Sequence, residues 1–450
     1  MAQASAIASR SVVGRKGTGG PQGALRARLI GWVRRGIEAC HPETAIRREV
    51  ARLFPDPPGG RTYVFGAGKA AAQMAAAFED AYAFPVEGFV VTRDGFETPT
   101  RKIEVMSASH PVPDARSLAA GERMMREMAG VDPTDRVIFL LSGGASALLC
   151  ATHEDLALSR LQDFMHELLG SGLPISTMNT VRASVSAIKA GRLATYCPAP
   201  ITTLAISDVP GDDPAFIGSA PTYGRAPKHR PQDIPPGRLP IWDEITKSLD
   251  VASSPTRTGS YTDRSRDDYV IIASSATCLR AVRDAVTADG IPIISDLGEA
   301  EGEAQSIASQ HAALLAEAAA RGETGLILSS GELTVTLEGC ASPGKGGPNQ
   351  EYMLALMDTL PSGISFSALA IDTDGIDGVG DVAGGAGDTE MLERARFRAL
   401  DLTDYLDRHD SQAGLDLIGG LVRIGPTGTN VNDCRLLWVN PILDQGVPQT

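Results

Sequence analysis

Long apolar runs are missing from this chain, and none comes near the roughly 20 residues that a membrane-spanning helix needs. Paired cysteines are missing too. Cys40, Cys150, Cys197, Cys278, Cys340 and Cys434 stand singly, which excludes a zinc ribbon or a C-x-x-C redox site and points to buried thiols in a reducing compartment. Basic charge is scarce: 41 Lys and Arg against 55 Asp and Glu give a formal net charge of −14, the opposite of a nucleic-acid footprint. The seven histidines show no H-E-x-x-H or other metal spacing. No Walker motif, internal repeat or recognisable Ser-His-Asp set is present. The small, polar and basic residues 1–23 lack the apolar core of a secretory signal, so a disordered tail is expected there and the cytoplasm is expected for the chain.

What the chain does have is strand and helix in alternation. Helical spacing from Ala24 and again from His41 to Phe54 precedes short apolar runs at 63–65, 88–92, 102–108, 136–144 and 201–209, with helices between them, one of them over 114–129. Continuous apolar strands separated by helices predict βαβ units and a parallel sheet buried on both faces. Residues 224–268 are rich in Pro, Ser and charge and read as a linker with one short helix around IWDEITKSL. A second α/β run follows, with strands expected at 269–275, 291–296, 325–337 and 366–375 and helices at 277–288 and 300–320. The expected organisation is a tail over 1–23, an N-terminal domain over 24–223, a linker over 224–268 and a C-terminal region over 269–450, with a substrate cleft between the domains.

Parallel α/β sheets bind ligands beyond the carboxyl ends of their strands, so the loops there are the candidates. Gly66-Ala67-Gly68-Lys69-Ala70-Ala71 matches the dinucleotide pattern G-x-G-x-x-A letter for letter, but with a lysine inside it. Ser142-Gly143-Gly144-Ala145-Ser146 is a second strand–turn–helix unit, and both turns are expected to offer free backbone N–H groups to an anion. Carboxylates gather in SDVPGDD (Asp208, Asp212, Asp213) and in DTDGIDG (Asp372, Asp374, Asp377), where they serve either as Mg²⁺ ligands or as turn and cap residues. The second of these fails as a calcium loop, because Asp377 and Ala383 stand where glycine and glutamate are required. GKGGPNQE brings Asn349, Gln350 and Glu351 to the start of a helix, and His110 before Pro111 reads as a turn residue.

Taken in order, VFGAGKAA, LLSGGASALL, NTVRASVSAIKAGRLA, AISDVPGDDPAFIGSAPT, SSGELTVTL, GKGGPNQE, DTDGIDG and GPTGTNVND resemble the class II D-glycerate 2-kinases, the family with a C-terminal MOFRL domain. The resemblance spans about Ala24 to Val439 and implies an α/β fold of two domains, a Rossmann-like αβα sandwich and a smaller C-terminal α/β MOFRL domain, with the active site in the interdomain cleft. It implies transfer of the ATP γ-phosphoryl group to the 2-hydroxyl of D-glycerate with Mg²⁺, Lys69 being the cation beside that group. On this reading Lys69 and Asp208 are catalytic. Gly66, Gly68, Ser142, Gly143, Gly144, Ser146, Asn179, Arg182, Arg192, Asn349 and Glu351 bind substrate or phosphate, and Asp208, Asp372 and Asp374 bind metal.

The chain departs from the family pattern at three places. Pro348 stands where many members carry arginine, Ala183-Ser184 replace Lys-His after Arg182, and Ser219-Ala220-Pro221-Thr222 replaces S-G-P-T. Arg182, Lys189, Arg192 and Lys345 are the candidates for the missing charge, with Arg182 and Arg192 placed on one helical face by their spacing. Two other functions stay open: an NAD(P)H-dependent hydroxypyruvate reductase, since relatives often carry that label, and a non-catalytic phosphosugar or sugar-acid binder. The expected partners are ATP and a small hydroxy acid, with no nucleic acid or membrane, and a homodimer is left open.

Overall fold

The computed structural model describes residues 21–152, 156–173, 175–224, 237–248, 264–337, 340 and 342–440. The expected tail up to residue 20 and most of the expected linker, 225–236 and 249–263, lie outside the described residues. The chain divides into two compact units, one formed by Cys40–Ser274 and the other by the segments on either side of it.

The chain begins with α1 (Pro21–Cys40), nearly all of which belongs to the flanking unit, and α2 (Pro42–Leu53), which has Pro42 at its first turn, where the missing N–H costs nothing. The central unit continues with β1 (Thr62–Ala67), α3 (Ala71–Ala81), β2 (Glu87–Arg93), β3 (Glu104–Ala108), α4 (Ala115–Ala129) and β4 (Arg136–Leu141). After these come the single turn α5 (Ala145–Leu148), α6 (Leu158–Leu169), α7 (Ile175–Ser184), β5 (Ile201–Ile206), α8 (Pro240–Ser248) and β6 (Asp268–Ala273). The sheet order is β3-β2-β1-β4-β5-β6 and every pairing in it is parallel.

The apolar runs that predicted buried strands are buried on both faces. Val137 to Leu141 are fully inaccessible in β4, and Phe65, Phe89 and Phe139 fill the core between sheet and helices. Helix α4 starts where expected because Asp114 accepts from the backbone of Arg116 and Ser117 while Ser117 Oγ returns a bond to the Asp114 N–H, a reciprocal cap. Strand order reverses between β1 and β4. That reversal places the two glycine turns side by side at the point where open parallel sheets bind ligands.

The expected boundary at residue 269 differs from what is seen. Strand β6 pairs with β5, Thr203 opposite Tyr269, and so closes the edge of the first sheet instead of opening a second one. An apolar run after a linker signals a buried strand but not which sheet it joins. Between β5 and β6 lies α8, the short helix read from IWDEITKSL, whose Trp242 and Ile245 pack with Leu161, Phe164 and Val181 of α6 and α7.

The flanking unit contains α9 (Ser275–Ala288), β7 (Ile293–Glu299), β8 (Gly302–Glu303), α10 (Ala304–Ala320), β9 (Gly325–Gly331), β10 (Leu333–Thr334) and α11 (Pro348–Thr359). It ends with β11 (Phe366–Asp372), β12 (Gly384–Asp388), α12 (Thr389–Phe397), α13 (Leu402–Asp407), α14 (Ser411–Ile418), β13 (Leu421–Val422) and β14 (Asp433–Val439). Its main sheet runs β13-β12-β11-β14-β9-β7 and is antiparallel except for β7 with β9. Strand β12, sequence GGAGD, has no β propensity to announce it. It is a strand because α11 lies against it so closely that a β-carbon on Gly385 would sit 2.7 Å from Met353 Cβ. Helix α1 joins this unit through Trp32, which donates Nε1–H to Asp289 at 2.9 Å and stacks on Trp438.

Among the described residues no helix is long and apolar enough to cross a membrane. All six cysteines are free thiols, and all but Cys340 are buried.

Candidate active site

The turn after β1 does not present its backbone as an anion cradle. Gly68 N–H bonds Val91 O at 3.0 Å, Lys69 N–H bonds Gly143 O at 2.9 Å, Ala70 N–H bonds Ser142 Oγ at 3.0 Å and Ala71 N–H bonds Gly68 O at 3.1 Å. The expectation of free N–H groups at Gly68 to Ala71 is therefore corrected: β2 takes one, the turn after β4 takes two, and the turn itself takes the fourth. Gly68, at a φ of +138°, allows this approach, since Ser142 occupies the space where a β-carbon would stand. Gly66 is buried within β1 beside Leu140 of β4.

With these four N–H groups bonded, side chains are what the turn has left to offer a ligand. Thr92 Oγ1 donates to Lys69 O at 3.1 Å, so the Lys69 backbone is held at both ends. Its ammonium has no hydrogen bond or ion pair among the described residues. The Asp208 carboxylate, arriving from the end of β5, packs onto Gly143 and leaves no room there for a β-carbon. Burial pushes the Asp208 carboxyl above its ordinary range, and the nearby Lys69 charge pulls it back. His110 joins them from the end of β3: a β-carbon on Gly144 would lie 3.1 Å from Lys69 Cγ and 3.2 Å from His110 Cδ2. Burial first, then Lys69, Arg93 and Arg182, hold the imidazole down at about 4, so it is neutral at pH 7. Reading His110 as a turn residue missed this placement. The usable signal was its position after a strand of the parallel sheet.

The basic candidates separate. Arg182, on α7, lines a small cavity of about 20 Å³ together with Lys189, Cys150 and Ser186, and burial lowers its guanidinium. Arg192 Nη1 donates to the carbonyls of Ala183 at 2.7 Å, Ser186 at 2.9 Å and Lys189 at 3.2 Å, which commits it to the turn after α7. The helical face expected to join Arg182 and Arg192 does not form, because α7 ends at Ser184 and Ala190 and Gly191 take positive φ. The side chain of Asn179 lies outside the described residues.

Lys189 Nζ donates to Ser146 Oγ at 2.8 Å, and Ser219 Oγ donates to the same oxygen at 2.9 Å. Ser219 and Ala220 are both left-handed, at φ of +63° and +51°, and their carbonyls accept from Ala190 and Gly191. A non-glycine residue costs about 1 kcal/mol in that region. Ala220→Gly is expected to stabilise the protein by roughly 0.5–1 kcal/mol in urea unfolding; no gain would mean that Ala220 bears no strain.

In the flanking unit, the acidic loop after β11 meets the start of α11. Pro348 is the first residue of that helix and needs no N–H partner there, while Asp377 accepts from the backbones of Asn349 and Gln350, each at 2.9 Å. Asn349 Nδ2 also donates to Asp433 Oδ1 at 2.6 Å, and Gln350 Nε2 to Asp377. Burial raises the Asp377 carboxyl to about 6 and Asp372 well above the usual range, the latter reinforced by Asp374, Asp433 and Asp377. Asp372 and Asp374 each also accept a backbone N–H two residues on, at 2.8 and 2.7 Å, as turn-forming aspartates do. Asp377→Ala, which orphans two buried helix N–H groups, is expected to cost about 2–3 kcal/mol in urea unfolding. A loss under about 0.5 kcal/mol would show the cap to be dispensable.

Glu351 is internal: it accepts from Gln305 Nε2 at 2.8 Å and meets His409 Nδ1 at 3.0 Å. Lys345 is exposed. Among the described residues no three His, Cys, Asp or Glu side chains converge to hold a metal ion, and Asp208 belongs to one unit while Asp372 and Asp374 belong to the other.

Two family models match the chain: a domain of unknown function, DUF4147, over residues 28–234, and the MOFRL family over residues 325–433. An Agrobacterium vitis protein provisionally named hydroxypyruvate reductase is 39% identical over 417 residues, 90% of this chain and 94% of that protein. The glycerate 2-kinase of Pyrococcus horikoshii is 33% identical over 383 residues, 83% of this chain and 86% of that protein. The crystal structure of a glycerate kinase from Thermotoga maritima superposes with a TM-score of 0.79 at 27% identity, covering 92% of this chain and 99% of that one.

Proposed function

The chain belongs to the glycerate 2-kinase family with a MOFRL domain, and from that premise we propose that it transfers the γ-phosphoryl group of ATP to the 2-hydroxyl of D-glycerate. The observation that carries the reading is Lys69, with its backbone pinned on both sides and its ammonium left without a bonding partner among the described residues, next to Asp208. Phosphoryl transfer depends on positioning and on stabilising charge spread over the equatorial oxygens, and a fixed, uncommitted cation supplies both. Asp208, with a raised carboxyl facing that cation, orients the acceptor hydroxyl and takes its proton. The Ser142–Ser146 turn holds the anionic end of the acceptor.

The donor set fits Mg²⁺ with few protein ligands better than an all-protein metal cage, since no three carboxylates converge among the described residues. Asp208 is one ligand candidate. Asp372 with Asp374, crowded by like charge, is the other. When bound, the ion would neutralise charge on the nucleotide phosphates.

A reductase is the second reading, favoured by the name of the Agrobacterium relative. Against it, the N–H groups of Gly68 to Ala71 in the β1 turn are already bonded within the protein, and Asp94, the acid nearest the end of β2, is forked onto Arg116 at 2.6 and 2.7 Å. Incubation with D-glycerate, ATP and Mg²⁺, coupled through enolase, is expected to give product, while NADH is not consumed with hydroxypyruvate. Absence of ADP release with glycerate and related polyhydroxy acids removes the kinase reading.

A further inference from the structure

Lys189 is a buried ammonium, 6% exposed, that meets no carboxylate among the described residues. Its hydrogen bond goes to Ser146 Oγ, and the charged or titratable groups acting on it are the Cys150 thiol and the Arg182 guanidinium. A lone buried positive charge is unfavourable unless an anion completes the site. Ser146 shows where such an anion would bind. A hydroxyl has two acceptor positions and one proton. Both acceptor positions of Ser146 are filled, by Lys189 at 2.8 Å and by Ser219 at 2.9 Å, so its own proton must be donated elsewhere, and no acceptor for it is found among the described residues. Ser146 is partly exposed, unlike Lys189 and Ser219, and it lies two residues beyond Gly144, the residue against which Lys69 and His110 pack.

We propose that Ser146, with Lys189 behind it and Ser219 beside it, is the subsite that selects the carboxylate of the acceptor hydroxy acid. Ser146 touches the ligand as an obligatory donor. Lys189 acts through it as a positioning residue, polarising that hydroxyl and supplying the opposing charge. The left-handed backbone at Ala190, Ser219 and Ala220 fixes this arrangement, since Ala190 N–H bonds Ser219 O at 3.1 Å and Gly191 N–H bonds Ala220 O at 2.7 Å. The inference rests on the kinase reading for the identity of the acceptor, but not for the chemistry of the subsite.

Burial lowers the Lys189 ammonium to about 8, so the charge is present at neutral pH and is lost as pH rises through that value. In the full-length protein, Lys189→Met and Ser146→Ala are expected to raise KM for D-glycerate by about 10- to 100-fold while KM for ATP changes less than about twofold. Lys189→Arg, which keeps the charge at high pH, should restore most of the affinity. It should also abolish the rise in glycerate KM that is expected of the unmodified protein above pH 8. Calorimetry separates this inference from the kinase reading. Binding of D-glycerate in preference to uncharged glycerol, lost in folded Lys189→Met, sustains the subsite even if no ADP is released. Turnover with glycerate affinity unchanged in both variants overturns the subsite and leaves the kinase standing. A matching rise in KM for ATP also overturns it, because the pocket would then serve nucleotide phosphate.

Discussion

Lys69→Met is expected to lower kcat with D-glycerate and ATP by about 10³-fold or more, with little change in unfolding free energy. The size follows from the reaction: transition-state charge lies on the transferred group, and a fixed cation there is worth about 3–5 powers of ten in related phosphoryl transfers. The stability half follows from the structure. Among the described residues no hydrogen bond ends on the Lys69 ammonium, both backbone bonds survive the substitution, and methionine keeps the aliphatic packing against Gly144. A second readout is independent of turnover. Lys69 is the first of the three cations that, after burial, hold the His110 imidazole at about 4, so its removal should raise the His110 titration seen by NMR. Retention of a tenth or more of the activity would take Lys69 out of the reaction.

The parallel sheet of the central unit was legible because both its faces are covered. A strand such as RVIFLL can be continuous in apolar residues only when helices pack on each side, and that constraint is written in the strand itself. The antiparallel sheet of the flanking unit was much less legible. GGAGD becomes β12 through the close approach of Met353 and Met357 on α11, a reason that resides in another element. Partnership was the least legible property of all. Helix α1 and strand β6 both have clear local patterns, but α1 packs by Trp32 onto Trp438 and β6 pairs with β5, relationships that no local periodicity encodes.

The candidate site divides in the same way. Lys69, Asp208 and the Ser142–Ser146 turn stood out because they follow strands, and the topology brings those strand ends together across the β1/β4 reversal. Hydrogen-bond accounting was invisible from residue types alone. The G-x-G turn looked like an open cradle, yet its N–H groups from Gly68 to Ala71 are all bonded within the protein, and Arg192 looked like a substrate clamp and ends on three carbonyls. Lys189 and Ser219 gain meaning only when both are seen on one oxygen of Ser146.

Asp208→Asn should lower kcat by about 10²- to 10⁴-fold, the usual range for loss of a positioned base. The same substitution should leave the protein as stable at neutral pH, or more so. Burial raises the Asp208 carboxyl above its ordinary value, so the folded state holds that proton more tightly than the unfolded chain does. Ionisation therefore costs stability as pH rises above the ordinary carboxylate range, and the neutral amide removes that cost while keeping the shape. A buried carboxylate whose charge costs stability, beside an uncommitted lysine, is the pattern of a functional group. The pH profile separates its two candidate roles. As a base, Asp208 gives kcat an acid limb that rises through its raised pKa, and Asp208→Asn flattens that limb without altering the Mg²⁺ requirement. If instead excess Mg²⁺ restores the activity of Asp208→Asn, the carboxylate acts as a metal ligand and the proton goes elsewhere.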